Sequence, residues 1–290
     1  VSGVWNRISA IAWSTLTEAL RQKVLWVLFL FALILVCSSI YFSEFTFERE
    51  FKFMKDVGSA SISVLGLLTA LIGAAQLIPA EIEKRTIYVT LSKPVRRVEF
   101  LLGKYFGLLS LITLMVLAMS VIFFGVLWFQ EQVFVAEVVG SRPPTEWTAQ
   151  EQQMVESIRE QARDPGTFQA ILLIWARLAL VEAIALLLST IATSSIFIIF
   201  ASVVIYFIGH LQSTAREAWG GGQVDNVVLE WLMGLVALLV PNFQAFSVID
   251  EILAGEAVSW AYTGELFSYS IIYTAIVLGI AALLFQDREI

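Results

Sequence analysis

Residues 168–211 read FQAILLIWARLALVEAIALLLSTIATSSIFIIFASVVIYFIGHL, 44 residues of almost unbroken apolar character. As one helix the stretch would run about 66 Å at 1.5 Å per residue, roughly twice the 30 Å hydrocarbon core of a bilayer. Its middle carries a hydroxyl-rich patch: Ser189, Thr190, Thr193, Ser194 and Ser195. Length and patch together predict two membrane spans, 168–189 and 195–211, joined by a tight turn. A single broken helix is the alternative. It gives five spans and puts the C-terminus on the other side of the membrane.

Four more stretches, 24–42, 57–78, 105–130 and 266–285, are long enough to span and contain no charge. Hydrophobic residues make up 58% of the 290-residue chain and charged residues 15%, where soluble domains carry about 25% charge. The mean hydropathy is +0.81. Surface-to-volume scaling leaves a soluble fold of this size no room to hide so much apolar side chain. The expectation is an all-α integral membrane protein of six spans, one transmembrane domain over 1–290. The first run is too long, and too far from the start of the chain, to be a cleaved signal peptide.

The net charge is −7 and the pI about 4.9, which argues against nucleic acid as a partner. Lys and Arg in the loops set the orientation. Residues 79–104 alone hold six: Lys84, Arg85, Lys93, Arg96, Arg97 and Lys104. With six spans this side carries a net charge of +4 and the other −11, the in-span Arg177 and Glu182 cancelling. Both termini are therefore expected in the cytoplasm of a multi-pass protein of the plasma (inner) membrane, with membrane lipids as partners.

The counts also exclude chemistry. One cysteine, Cys37, and one histidine, His210, cannot supply the three or four ligands of a usual zinc site. Cys37 reads as a small buried hydrophobe and His210 as an interfacial residue. No Gly-x-x-x-x-Gly-Lys-Ser/Thr loop is present, so the chain is not expected to bind ATP through a loop of its own. No catalytic residues, metal or cofactor are expected in this chain.

Residues 4–22 precede the first span. On a helical wheel Val4, Trp5, Ile8, Ile11, Ala12, Leu16 and Ala19 share one half, opposite Asn6, Arg7, Ser14, Thr17, Glu18 and Arg21. Such a helix is expected to lie in the membrane interface.

The segment from Ile78 to Gly107, IPAEIEKRTIYVTLSKPVRRVEFLLGKYFG, leaves one span, forms a charged loop and enters the next. Pro94 disfavours helix at the residue before it. The positive-inside rule accounts for the basic residues but not for their order. Glu81-x-Glu83-x-x-Thr86, then Leu91-x-x-Pro94-x-x-Arg97, then Gly103-Lys104 resembles the permease subunits of ABC-2 type transporters, of which the group linked with multi-copper enzyme maturation looks most similar. Glu18 and Arg21 before the first span and the charged end FQDREI match the same pattern. The resemblance implies that 79–104 is a coupling-helix loop, with Glu18, Arg21, Glu81, Glu83, Arg85, Thr86, Pro94, Arg97 and Lys104 as contacts to a cytosolic ABC ATPase. It further implies an ATP-driven exporter with an ATPase dimer that holds the ATP and Mg, and a second permease, homodimeric or a paired paralogue, meeting this one through the first and fifth spans. A membrane anchor or scaffold that passes on ATPase-driven motion without moving a substrate is the alternative.

Two loops are long. Residues 131–167 read as an external helical insertion: Thr148-Ala-Gln-Glu151 is a capping-box pattern, and Asp164-Pro165-Gly166 ends the helix. Few of its residues are apolar, so it needs a partner surface or frays. Residues 212–265 read as an external or re-entrant segment, with a turn at Gly220-Gly221-Gly222, an apolar but short run at 227–240 that contains Glu230, and a second short helix at 247–255. Within the fourth span, Arg177 and Glu182 are candidate intramembrane polar residues. They sit about 140° apart on a helix, so they are not a same-face pair. Arg177 has the reach to snorkel toward headgroups.

Overall fold

The computed structural model describes residues 2–43, 50–83, 96–140, 142–220 and 240–287, and these are helical with short connections and no strands. In chain order the helices are α1 (Ser2–Leu20), α2 (Lys23–Ser43), α3 (Glu50–Glu83), α4 (Arg97–Val139), α5 (Ala149–Ala162), α6 (Gly166–Ile191), α7 (Ser195–Gly220), α8 (Val248–Leu253) and α9 (Trp260–Asp287). Six of them, α2, α3, α4, α6, α7 and α9, are long and apolar enough to cross a membrane.

The 168–211 stretch breaks where its hydroxyls lie. Helix α6 ends at Ile191, three residues turn, and α7 starts at Ser195. The Ser195 hydroxyl donates to the Ala75 carbonyl of α3 at 2.9 Å, which fixes the turn against a neighbour. Helix α6 is the hub. It packs on α3, α4, α7, α8 and α9, and from Leu178 to Leu186 every residue is buried. Helices α2 and α7 both pack on α3 and leave long apolar faces outward, with Val27, Phe31 and Ile34 on one and Phe200, Phe207 and Leu211 on the other. Cys37 is exposed on α2 rather than buried: the inward stripe of that helix is Leu25, Ala32, Val36 and Ser39, and Cys37 falls outside it.

All six spanning helices run past their predicted bounds, α4 furthest. Helix α4 has 43 residues, about 65 Å, and continues past residue 130 to Val139. There it supplies the surface that α5 needed: α5 packs along this extension, with Val155 and Ala162 buried. The predicted capping box forms, the Glu151 carboxylate accepting from the Thr148 backbone N–H at 2.8 Å and the Thr148 hydroxyl from the Glu151 N–H at 3.3 Å. Residues 247–255 contain α8, preceded by a 3₁₀ turn at Phe243–Ser247. The 227–239 run with Glu230, and Gly221 and Gly222, lie outside the described residues.

Candidate functional site

One end of the bundle gathers α1, the first turns of α4 and the last turn of α9. Helix α1 does not lie free. Ile8, Thr15 and Ala19 are buried against the molecule, and the contact is with α4. The close approach needs glycine. A Cβ at Gly103 would stand 2.7 Å from the Ile11 Cβ, and one at Gly107 would stand 2.7 Å from the Ala12 carbonyl oxygen. Gly103-x-x-x-Gly107 is thus a small-residue groove of the kind that lets two helix backbones meet. The apolar half of the wheel is divided: Ile8 and Ile11 meet α4 at Gly103, while Trp5, and Trp13 at the edge of that half, are 63% and 68% exposed, as an interfacial helix places tryptophan.

Charge closes the junction. Arg7 donates from Nε and Nη2 to the two oxygens of Glu99, at 2.7 and 2.8 Å, a planar fork that fixes orientation as well as distance. Glu99 also accepts from the Arg96 N–H at 3.4 Å. Two residues before Glu99, Arg97 donates to the Phe285 and Gln286 carbonyls at 2.8 and 3.0 Å. These carbonyls belong to the last turn of α9, where a helix leaves such groups without partners of its own. Phe100 stacks on Phe285 with ring centroids 6.0 Å apart, and the Lys104 ammonium lies 5.5 Å from the Phe100 ring centroid. Helix α4 therefore begins bonded to α1 through Glu99 and to α9 through Arg97.

The sequence-derived contact residues divide accordingly. Glu18 and Arg21 are exposed near the end of α1. Glu81 and Glu83 fall in the last turn of α3. Arg85, Thr86 and Pro94 lie outside the described residues, as does the rest of 84–95. Arg97 and Lys104 also make contacts within the permease. Lys104 is only 4% exposed, and Arg97 is turned toward the end of α9, so in this conformation both hold the permease together. Arg7 and Glu99 escaped the sequence reading as a pair. They are 92 positions apart, and only the glycine spacing on α4 hinted that another helix would lie there.

Arg177 and Glu182 are not brought together. Arg177 donates to the Ser63 hydroxyl of α3 and lines a polar pocket of about 430 Å³. Glu182 is fully buried, and neither carboxylate oxygen has a hydrogen-bond partner among the described residues. Tyr105 is its electrostatic neighbour and donates to the Ala179 carbonyl at 3.2 Å. Tyr105 also borders an apolar groove of about 500 Å³ between α4, α6 and α9.

The family model described as ABC-2 family transporter protein matches residues 9–290, and the chain belongs to that family. It is an ABC-2 type permease, a multi-pass membrane subunit of an ABC transporter, and the family implies a partner ATPase component. No curated protein matches the chain.

Proposed function

We propose that this permease couples ATP hydrolysis by a cytosolic ATPase dimer to export, with ATP and Mg held on the ATPase. The observation that carries this reading is the junction at the start of α4. Residues 84–95, which hold Thr86, Leu91 and Pro94 of the coupling motif, lead directly into Arg96. From there one turn of helix reaches α9 through Arg97 and α1 through Glu99. A displacement of the loop is delivered to three helices at once, through charge-assisted bonds that resist being stretched.

The permease acts as a pair. Helices α2 and α7 flank α3 and turn apolar faces away from the rest of the chain, which suits the first-and-fifth-span contact that the family resemblance implies. Both termini face the cytoplasm in this reading, with α5 and α8 outside.

Purification of the protein from its native membrane in mild detergent tests the proposal. A P-loop ATPase is expected to co-purify, and Arg97→Glu is expected to lower the response of its ATPase activity to the permease. Recovery of the permease with no ATPase, together with unchanged activity in Arg97→Glu, overturns the reading.

A further inference from the structure

At the end of the bundle opposite the junction several charges are met by opposite ones, and half-buried Arg177 is not. The Lys55 ammonium, itself buried, lies 2.9 Å from Asp164. Buried Glu131 receives a fork from Arg163 at 3.0 and 2.7 Å, with Arg159 at 4.0 Å. Arg142 is bonded to Glu151. Arg177, deeper in the membrane-spanning part of α6, has no such partner among the described residues. Its one hydrogen bond goes to a neutral hydroxyl, that of Ser63.

A guanidinium carries five N–H donors, and one within a membrane is costly unless its charge is met. Arg177 borders an open pocket rather than packed side chains. Ser59 and Ser63 of α3 and Tyr206 of α7 bring hydroxyl groups to its wall, and Lys52 contributes a second cation. Asp56 and Asp250 also line it, yet neither is within ion-pair distance of Arg177. Val64 and Ile174 supply the apolar part of the lining.

We infer that this pocket, between α3, α6, α7 and α8, binds an anionic group, a phosphate or carboxylate, with Arg177 as its principal ligand and Lys52 as a secondary one. Asp56 and Asp250 leave room for a positive group on the same ligand. The inference deepens the permease reading, on which it rests for the role of the ligand, by naming what the outer end takes. The chemistry has two sources: a small soluble anion, or the headgroup of an amphiphile whose chain lies along Val64.

Binding to the isolated permease tests it without any ATPase, so a failure here is distinct from failure of the coupling reading. The chain, purified in dodecyl maltoside, is titrated by calorimetry with inorganic phosphate, dodecyl phosphate, dodecanoate and dodecyltrimethylammonium. Dodecyl phosphate or inorganic phosphate is expected to bind, with a loss of about tenfold or more in Arg177→Gln, since hydrogen bonds to charged groups are the strong ones. A smaller loss is expected in Lys52→Gln. Binding of inorganic phosphate identifies the soluble source, and binding of dodecyl phosphate or dodecanoate alone identifies the amphiphile. Equal binding of the cationic detergent, no binding of any anion, or unchanged affinity in Arg177→Gln overturns the inference. A measurement on the unaltered protein stands beside the variants should Arg177→Gln not fold. Modification of Arg177 by phenylglyoxal, read by peptide mass, is expected to slow when the bound anion is present. Equal rates with and without it also overturn the inference.

Discussion

Glu182 is a residue that the fold would be simpler without. It is fully buried in the hub helix, and its oxygens have no hydrogen-bond partner among the described residues. Leaving a buried polar group unmatched costs about 1–3 kcal/mol, and an apolar replacement of similar size removes that cost. Glu182→Leu is therefore expected to raise the melting temperature of the purified permease while lowering export, the trade common where a destabilising group serves a function. A melting temperature that falls by several degrees would show instead that Glu182 holds the core together. Glu151, outside the spans, offers a titration with a definite sign. The Thr148 backbone N–H first, then Arg142 and the Thr148 hydroxyl, hold its carboxyl at about 2, against an ordinary 4.5. A folded-state value below the unfolded one means that the cap supports α5 at neutral pH and down to the ordinary carboxylate range, and is lost as pH falls from there toward about 2. The Thr148 amide proton shift in an NMR pH series is expected to move with a midpoint near the lower value. A midpoint at 4.5 or above is incompatible with the bonded cap.

At the scale of elements, the contact of α1 with α4 depends on two missing side chains. Since a Cβ at Gly107 would come within 2.7 Å of backbone, Gly107→Leu must push α1 away, and the Arg7–Glu99 fork goes with it. Trypsin cleavage at Arg7 is expected to accelerate in this variant, because cleavage within a helix requires local opening. Gly125 on the same helix has open space around it, so Gly125→Leu is the control and should cleave as the unaltered protein does. Equal protection in both variants refutes the packing role of Gly103-x-x-x-Gly107. The sequence made the apolar elements legible because length and absence of charge alone decide whether a helix can span, and the hydroxyl patch marked the break between α6 and α7. It was less informative about faces. The moment of α1 indicated an amphipathic helix, but periodicity does not distinguish lipid from protein as the apolar solvent, and Ile8 is buried against the protein while Trp13 is exposed. Cys37 was misplaced for the same reason: in a span that is apolar all round, hydropathy carries no inward direction. The order of residues from Glu81 to Lys104 pointed to the family but not to the contacts that Arg97 and Lys104 make within the permease, because a motif records residue types and not which way they turn.

At the scale of the whole molecule, α4 joins the two ends of the permease. It starts in the junction with α1 and α9 and ends, 43 residues on, where Glu131 takes the fork from Arg163 just before α6 begins. Under the proposed orientation the charge of −7 divides along the same axis, basic at the junction end and acidic at the far end, and in that reading the two ends meet different partners and need a mechanical link. A continuous helix is stiff along its axis because each residue's displacement is shared through the backbone hydrogen-bond ladder. If α4 carries motion from the coupling loop to the outer end, then softening its middle must uncouple the ends without disturbing either. Leu117 and Val121 allow that test. Both are exposed, 59% and 71%, so glycine there removes little packing within the chain, while each substitution weakens the helix by up to about 1 kcal/mol. The pair Leu117→Gly with Val121→Gly is expected to leave assembly with the ATPase and its basal hydrolysis intact and to reduce export in reconstituted vesicles. Leu117→Ala with Val121→Ala truncates the same side chains but keeps helix propensity, and should export as the unaltered protein does. Equal loss in both pairs would assign the effect to the lipid-facing side chains, and full export in the glycine pair would mean that motion reaches the outer end by another route, through α9 and the hub helix α6.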